Sequence, residues 1–304
     1  MQSSRPDGGG SEMTTCRLPT GVTLEYEVIG DTGAEVVCFV HGAAANMRQF
    51  EVQQQRFVPS HRVLRLSLRG HGGSSAVERP RPSDYARATL ARDVVALWDE
   101  LGIASAHVVG NSLGGLVGYE LLSLAPGRLR SLTTFGTTAA LASPPALRWT
   151  MTTLQRLLGS RGMSRLLART ASHDRAVAQL VAEMCRSADA RALRLVMHDI
   201  ATYDYTAFLR QQTLPLLLVR GERDDGINAN LGSTLTALAA TPRFTLVDLP
   251  GTGHFANLER PDAFARVLTR FLVSVDDASA VRSPYRRAVG SKAKDEPVRE
   301  LQPA

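Results

Sequence analysis

The chain has 304 residues, 44% of them hydrophobic, and its 35 basic against 29 acidic groups leave a formal charge of +6. Two of the basic residues are lysines, Lys292 and Lys294, so residues 1–291 hold no amine for a Schiff base, a pyridoxal anchor or a phosphate-binding GK[ST] loop. The arginines are scattered (Arg17, Arg65, Arg92, Arg130, Arg156, Arg220) and aromatics make up only 6%, which speaks against a nucleic-acid partner.

In chain order, residues 1–14 are polar and glycine-rich, lack the apolar core of a signal peptide, and read as a disordered leader. Strand-like runs follow at 22–28, 36–40, 63–68, 107–109, 132–135, 216–219 and 244–249. The first alternates Val22, Leu24 and Tyr26 with polar neighbours. The later ones are short and largely apolar, as parallel strands covered on both faces are. Helical spacing recurs between them: Ser83 reads as the cap of a helix carrying Leu90, Val94, Leu97, Trp98 and Leu101, and residues 113–124 and 261–273 follow the same period. Strands alternating with helices predict an α/β fold with a mainly parallel sheet flanked by helices. Residues 15–140 and 211–275 are expected to form this core. Residues 141–210 show no strand pattern and read as a helical insertion (146–158, 163–171, 176–186, 191–200), and 276–304 as a flexible polar tail. Cys16, Cys38 and Cys185 are widely spaced without a CxxC pair, which supports neither a disulfide framework nor a zinc site. No apolar stretch is long enough to span a bilayer, and a cytoplasmic setting is the expectation.

The first chemical signal is Gly110-Asn111-Ser112-Leu113-Gly114-Gly115, a G-x-S-x-G run placed between a strand and a helix. A sharp strand-to-helix turn would expose the serine hydroxyl and bring neighbouring backbone too close for a Cβ, and the helix N-terminus would add positive potential beside it. A serine hydroxyl is a weak nucleophile and needs a base, itself oriented by an acid. Among seven histidines, His254 stands out: it follows strand 244–249 in the loop Pro250-Gly251-Thr252-Gly253-His254, where a parallel sheet presents functional groups. The acid is sought between serine and histidine, where strand 216–219 runs into Gly221-Glu222-Arg223-Asp224-Asp225. Either aspartate can serve, with Glu222 the weaker choice.

With these residues on the page, the chain resembles the α/β-hydrolase superfamily over roughly residues 20–275. The resemblance rests on His41-Gly42, on Arg69-Gly70-His71-Gly72-Gly73-Ser74, on the Ser112 run, on Gly221-Glu222-Arg223-Asp224, and on Gly253-His254 with Glu259-Arg260-Pro261. It implies Ser112 as nucleophile, His254 as base and Asp224 as acid, with a one-residue slip making Asp225 the acid. It also implies an oxyanion hole from the backbone N–H groups of Ala43 and Leu113, structural roles for His41 and His71, and an insertion acting as a cap. One departure is Ser67, where the family often carries an aspartate, so an ion pair usual there is expected to be weakened.

A serine at this turn argues against dehalogenase or epoxide hydrolase chemistry, which uses aspartate there. The resemblance implies a serine hydrolase cleaving a carboxylic ester or lactone through an acyl-enzyme. Its partner is a small-molecule ester, lactone or related acyl substrate, with no metal or organic cofactor, nucleic acid or membrane. Two alternatives stay open: a carbon–carbon bond hydrolase of aromatic ring-fission products, suggested by Asn111 beside the serine, and a non-catalytic binding protein on the same fold. Asn111, Phe255, Trp149, Arg191 and Arg194 are candidate substrate contacts, the arginines for a substrate carboxylate.

Overall fold

The computed structural model describes residues 14–43, 45–144 and 172–280, together with Gly162 and Arg169. Its strands are β1 (Thr15–Arg17), β2 (Thr23–Ile29), β3 (Val36–Val40), β4 (Arg62–Leu66), β5 (Ala106–Asn111), β6 (Leu129–Phe135), β7 (Ala140–Ala142), β8 (Thr202–Asp204), β9 (Leu216–Gly221) and β10 (Phe244–Leu249). Eight of them make one sheet in the order β1-β2-β4-β3-β5-β6-β9-β10. Pairing is antiparallel from β1 through β2 to β4 and parallel from β4 to β10.

The largely apolar strands are explained by a core on each side of the sheet. In β3, Val36, Cys38 and Val40 join Leu64, Leu66 and Trp98 on one face. Val37 and Phe39 join Phe50, Val63, Phe135 and Phe264 on the other. The first face is covered by α2 (Arg87–Glu100) and α3 (Leu113–Leu124), the second by α1 (Glu51–Phe57) and α10 (Pro261–Ala280). Among the described residues no helix is long and apolar enough to cross a membrane.

Within the insertion, α4 (Arg175–Arg186) and α5 (Ala190–Asp199) are each opened by an aspartate, Asp174 and Asp189, whose side chain accepts two backbone N–H groups. The α4 face of Val177, Val181 and Met184 packs on Ala45 and Phe255, while Ala192 and Val196 of α5 join the α2–α3 core. The short α6 (Thr206–Leu209) leads back to the sheet.

Several expectations need correction. The stretch expected to be free of strands contributes β7 and β8, an antiparallel ribbon whose three-residue strands are too short to show a period. Ser83 is not an N-cap: it lies in a 3-10 turn (Pro82–Tyr85) and its carbonyl accepts the Thr89 hydroxyl, so α2 starts only at Arg87. The last helix continues to Ala280, past the boundary expected at 275, and within it Asp276 lies 3.4 Å from Arg130. In the run that follows Ser67, Arg69 is bidentate to buried Asp93 of α2, with Nε–Oδ2 at 2.5 Å and Nη2–Oδ1 at 2.6 Å. Ser67 instead donates to Glu25 of β2 at 2.6 Å, and the same carboxylate accepts the Gly73 N–H at 2.8 Å. The expected helices 146–158 and 163–171, Trp149, residues 1–13 of the expected leader and residues 281–304 of the expected tail lie outside the described segments.

Candidate active site

Strand β5 ends at Asn111 and α3 begins at Leu113, leaving Ser112 alone to make the turn. Its φ of +51° is the one positive φ of a non-glycine among the described residues. Such a conformation costs about 1–3 kcal/mol and persists only where the surroundings enforce it. The Ser112 N–H donates to the Phe135 carbonyl at the end of β6 (2.9 Å), and its own carbonyl accepts from Gly115 and Leu116. The glycines of the motif are demanded by close approach: a Cβ at Gly114 would lie 2.0 Å from the Val40 carbonyl oxygen, and one at Gly110 2.3 Å from that of Gly114. The serine is therefore carried on a turn pressed against the end of β3, at the N-terminus of a three-turn helix whose first N–H groups have no partner in the helix itself.

The loops after β9 and β10 supply the second half. Glu222 accepts the Gly251 N–H at 2.7 Å and the Arg223 N–H donates to the Thr252 carbonyl at 2.7 Å, so the two loops are stitched together. His254 Nδ1 lies 2.9 Å from Oδ2 of the buried Asp224. Asp225 is exposed at the start of a short helix, α7 (Asp225–Asn228). A carboxylate on Nδ1 holds the proton there and leaves Nε2 as an acceptor, the tautomer a general base requires. The His254 ring backs on Gly136, one residue past the Phe135 carbonyl that anchors Ser112, where a Cβ would lie 3.0 Å from the ring.

The loop after β3 is fixed by neutral hydrogen bonds. The Gly42 carbonyl accepts from His41 Nδ1 (2.8 Å) and from the Ala45 N–H (3.0 Å), while His41 Nε2 accepts the Leu68 N–H (2.9 Å). A trans peptide points its N–H opposite its carbonyl, so the Ala43 N–H faces away from these donors. The next carbonyl, that of Ala43, lies 3.0 Å from His71 Nε2. Both histidines are fully buried. Burial, with His71 close by, pushes His41 down to about 3, and burial also lowers His71. The neutral His41 ring holds this loop, and His71 sets both ring nitrogens against carbonyl oxygens, those of Arg69 and Ala43.

The remaining expected contacts separate. Asn111 is wholly buried with its amide engaged by Gln49, the Phe135 carbonyl and the His254 carbonyl, so it is a scaffold residue rather than a substrate contact. Phe255 is likewise closed off beneath α4. Arg191 reaches the Glu78 carbonyl at the surface and Arg194 is exposed on the same helix, so neither joins the cluster around Ser112. Sequence reading missed Gln49, Gln53 and Asn257, all fully buried beneath the Ser112 turn. The available signal was a pair of glutamines four residues apart among Phe50 and Phe57.

Carboxylates and imidazole also meet at the opposite, amino-terminal end of the sheet. Glu35, His107 and Asp276 bring ligand-type atoms within 4.8 Å of one another. A guanidinium already fills the place of a cation there: Arg130 Nη2 lies 2.7 Å from Glu35 and 3.4 Å from Asp276, and its Nε is 3.3 Å from His107 Nε2.

Residues 39–267 match the family model described as the alpha/beta hydrolase family. RutD of Pseudomonas syringae pv. syringae (strain B728a), provisionally named a carbamate hydrolase, is 31% identical over 260 residues, 82% of this chain and 97% of that protein. The 3-oxoadipate enol-lactonase 1 of Acinetobacter baylyi is 23% identical over 269 residues, 84% of this chain and 95% of that protein. Among solved structures, the enol-lactonase of Burkholderia xenovorans LB400 superposes with a TM-score of 0.76 at 23% identity, covering 86% of this chain and 100% of that one. The chain belongs to the alpha/beta hydrolase family, and it is an enzyme of that class.

Proposed function

We propose that this hydrolase cleaves a carboxylic ester or lactone of a small molecule through an acyl-enzyme formed on Ser112. His254 takes the Ser112 proton as the hydroxyl attacks the carbonyl carbon, then returns it to the leaving alcohol or enol oxygen. Water attacks the acyl-enzyme by the same route, with His254 again as base, and releases the acid. Asp224 holds the ring and stabilises the imidazolium. The N–H groups of Ala43 and Leu113 receive the charge on the tetrahedral oxygen, each such donor being worth roughly 3 kcal/mol in the transition state.

The observation that carries this reading is the conjunction of the strained Ser112 turn with a His254–Asp224 bond anchored to the same strand end. The enol-lactonase relatives support a lactone or ester substrate, and the RutD relatives keep a carbamate among the compounds to be tried. Asn111, whose place beside the serine suggested the carbon–carbon alternative, turns its amide toward Gln49 and the His254 carbonyl.

The test is a panel of p-nitrophenyl esters, enol-lactones, a carbamate and a ring-fission dienoate, run beside labelling with a fluorophosphonate. Wild-type turnover of an ester or lactone, with covalent labelling that is lost in Ser112→Ala, is expected. Failure of the wild type to label would sink the nucleophile assignment, and turnover of the dienoate alone would replace the ester reading with the carbon–carbon one.

A further inference from the structure

We infer that Gln49 is a positioning residue that sets three loops of the proposed site relative to one another through a buried network of neutral amides; the inference rests on the acyl-enzyme reading above. Gln49 sits in a 3-10 turn (Met47–Phe50) just past the loop after β3, and it is fully buried. Its Oε1 accepts the Gly42 N–H at 3.1 Å, fixing the peptide that precedes the Gly42–Ala43 unit. Its Nε2 donates to Asn111 Oδ1 at 3.0 Å, directly before Ser112. The second proton on Nε2 is directed to Asn257 Oδ1 at 3.3 Å, three residues after His254.

The partners close the network. Asn111 Nδ2 donates to the His254 carbonyl at 3.0 Å. Asn257 Nδ2 donates to the Gln49 carbonyl at 2.9 Å and to Gln53 Oε1 at 3.0 Å, and Gln53 Nε2 returns to the Asn257 carbonyl at 2.8 Å. His254 is thus gripped through its own carbonyl and through the residue one turn on, both by groups that Gln49 holds. A Cβ at Gly42 would lie 2.7 Å from Asn111 Oδ1, so the loop carrying the Ala43 N–H rests directly on the strand end carrying Ser112.

An amide side chain is the chemistry such a hub requires. One acceptor and two donors on a planar group meet one N–H and two carbonyl oxygens. A carboxylate would lose both donors, and an aliphatic side chain would leave three buried polar groups without partners. All the partners are uncharged, so the hub holds geometry without adding a charge beside the ring that must accept and release a proton. A misplacement of about 1 Å between reacting groups is enough to cost on the order of 10²-fold in rate.

The experiment measures kcat, KM and fluorophosphonate labelling for wild type, Gln49→Leu and Gln49→Glu between pH 5 and 9 with a p-nitrophenyl ester. Folding is checked by circular dichroism at each pH. Gln49→Leu is expected to lower kcat about 10²-fold with KM within about threefold. Gln49→Glu supplies a signature that a space-filling role does not. Protonated, its carboxyl accepts the Gly42 N–H and donates to an Asn oxygen. Ionised, it faces Asn111 Oδ1 with no donor. The ratio of its kcat to that of wild type should therefore fall by about tenfold or more as pH rises, while the folded fraction stays constant. Should Gln49→Leu fail to fold, that ratio decides alone. A folded Gln49→Leu with wild-type kcat, or a Gln49→Glu ratio flat across pH, overturns the hub and leaves the acyl-enzyme reading standing. A wild type that neither labels nor turns over the ester overturns both.

Discussion

The bonds directly beneath the Ser112 turn and those at the amino-terminal end of the parallel sheet hold their elements together by different means. Directly beneath the Ser112 turn the bonds run between neutral groups: the ring of His41, the amides of Gln49, Asn111 and Asn257, and backbone carbonyls. At the amino-terminal end, α10 is fastened by charge, with Arg130 and His107 set between Glu35 and Asp276. The difference has a physical logic. A site that moves a proton is served by supports whose own charges do not change. A helix end at the surface needs only attachment, which ion pairs supply in partial solvent.

The comparison is broken most sharply at its centre. Ser112→Ala is expected to lower kcat by about 10⁵-fold or more, measured on the best ester of the panel. Asp224→Asn should cost about 10⁴-fold, while Asp225→Asn stays within a few-fold; the reverse order would place the wrong carboxylate beside His254. Next comes Asp93→Ala, which strands the buried Arg69 guanidinium. Denaturant unfolding should show a loss of about 3–5 kcal/mol.

The pH responses of the two ends carry opposite signs. His41 is held neutral, near 3 against an ordinary 6.5, so the unfolded chain binds its proton first. Its contribution is whole above about pH 6.5 and is lost as pH falls toward 3, a change of roughly 4 kcal/mol. For His107, burial opposes the charged form but the bonds to Asp276 and Glu35 outweigh it, and the group is raised. Its contribution is therefore whole below about pH 6.5 and fades as pH rises through the raised value. Histidine NMR titration separates them: the His41 ring should not titrate above pH 5, and His107 should titrate later than a free histidine. Coincident curves would erase the distinction between the ends.

How much of this the sequence disclosed depends on whether a constraint was local. The Ser112 turn was legible because close approach at Gly110 and Gly114 forbids a side chain, and such exclusion writes itself into residue type. The strands of the parallel region were legible because both faces are buried. Asp224 could be preferred over Asp225 only by resemblance, since the choice rests on where a neighbouring loop places His254. The β7–β8 ribbon is too short to have a period. Gln49 and Asn257 meet across more than two hundred residues of sequence, and an amide buried in such a network resembles an amide in water until the fold is known. Asn111 misled for the same reason: its neighbour marks a site, but its side chain points into the scaffold.

Glu25 bears on how this protein would respond to design by family average. Replacing an unusual residue with the one common among relatives is a standard route to stability, and at position 67 that substitution is Ser67→Asp. Here the hydroxyl of Ser67 donates to Glu25 at 2.6 Å, and the Glu25 carboxylate also takes the Gly73 N–H. A second carboxylate at 67 would remove a donor and set two like charges against each other in a buried place. The usual improvement is expected to lower the melting temperature, and adding Glu25→Gln to Ser67→Asp should restore part of the loss.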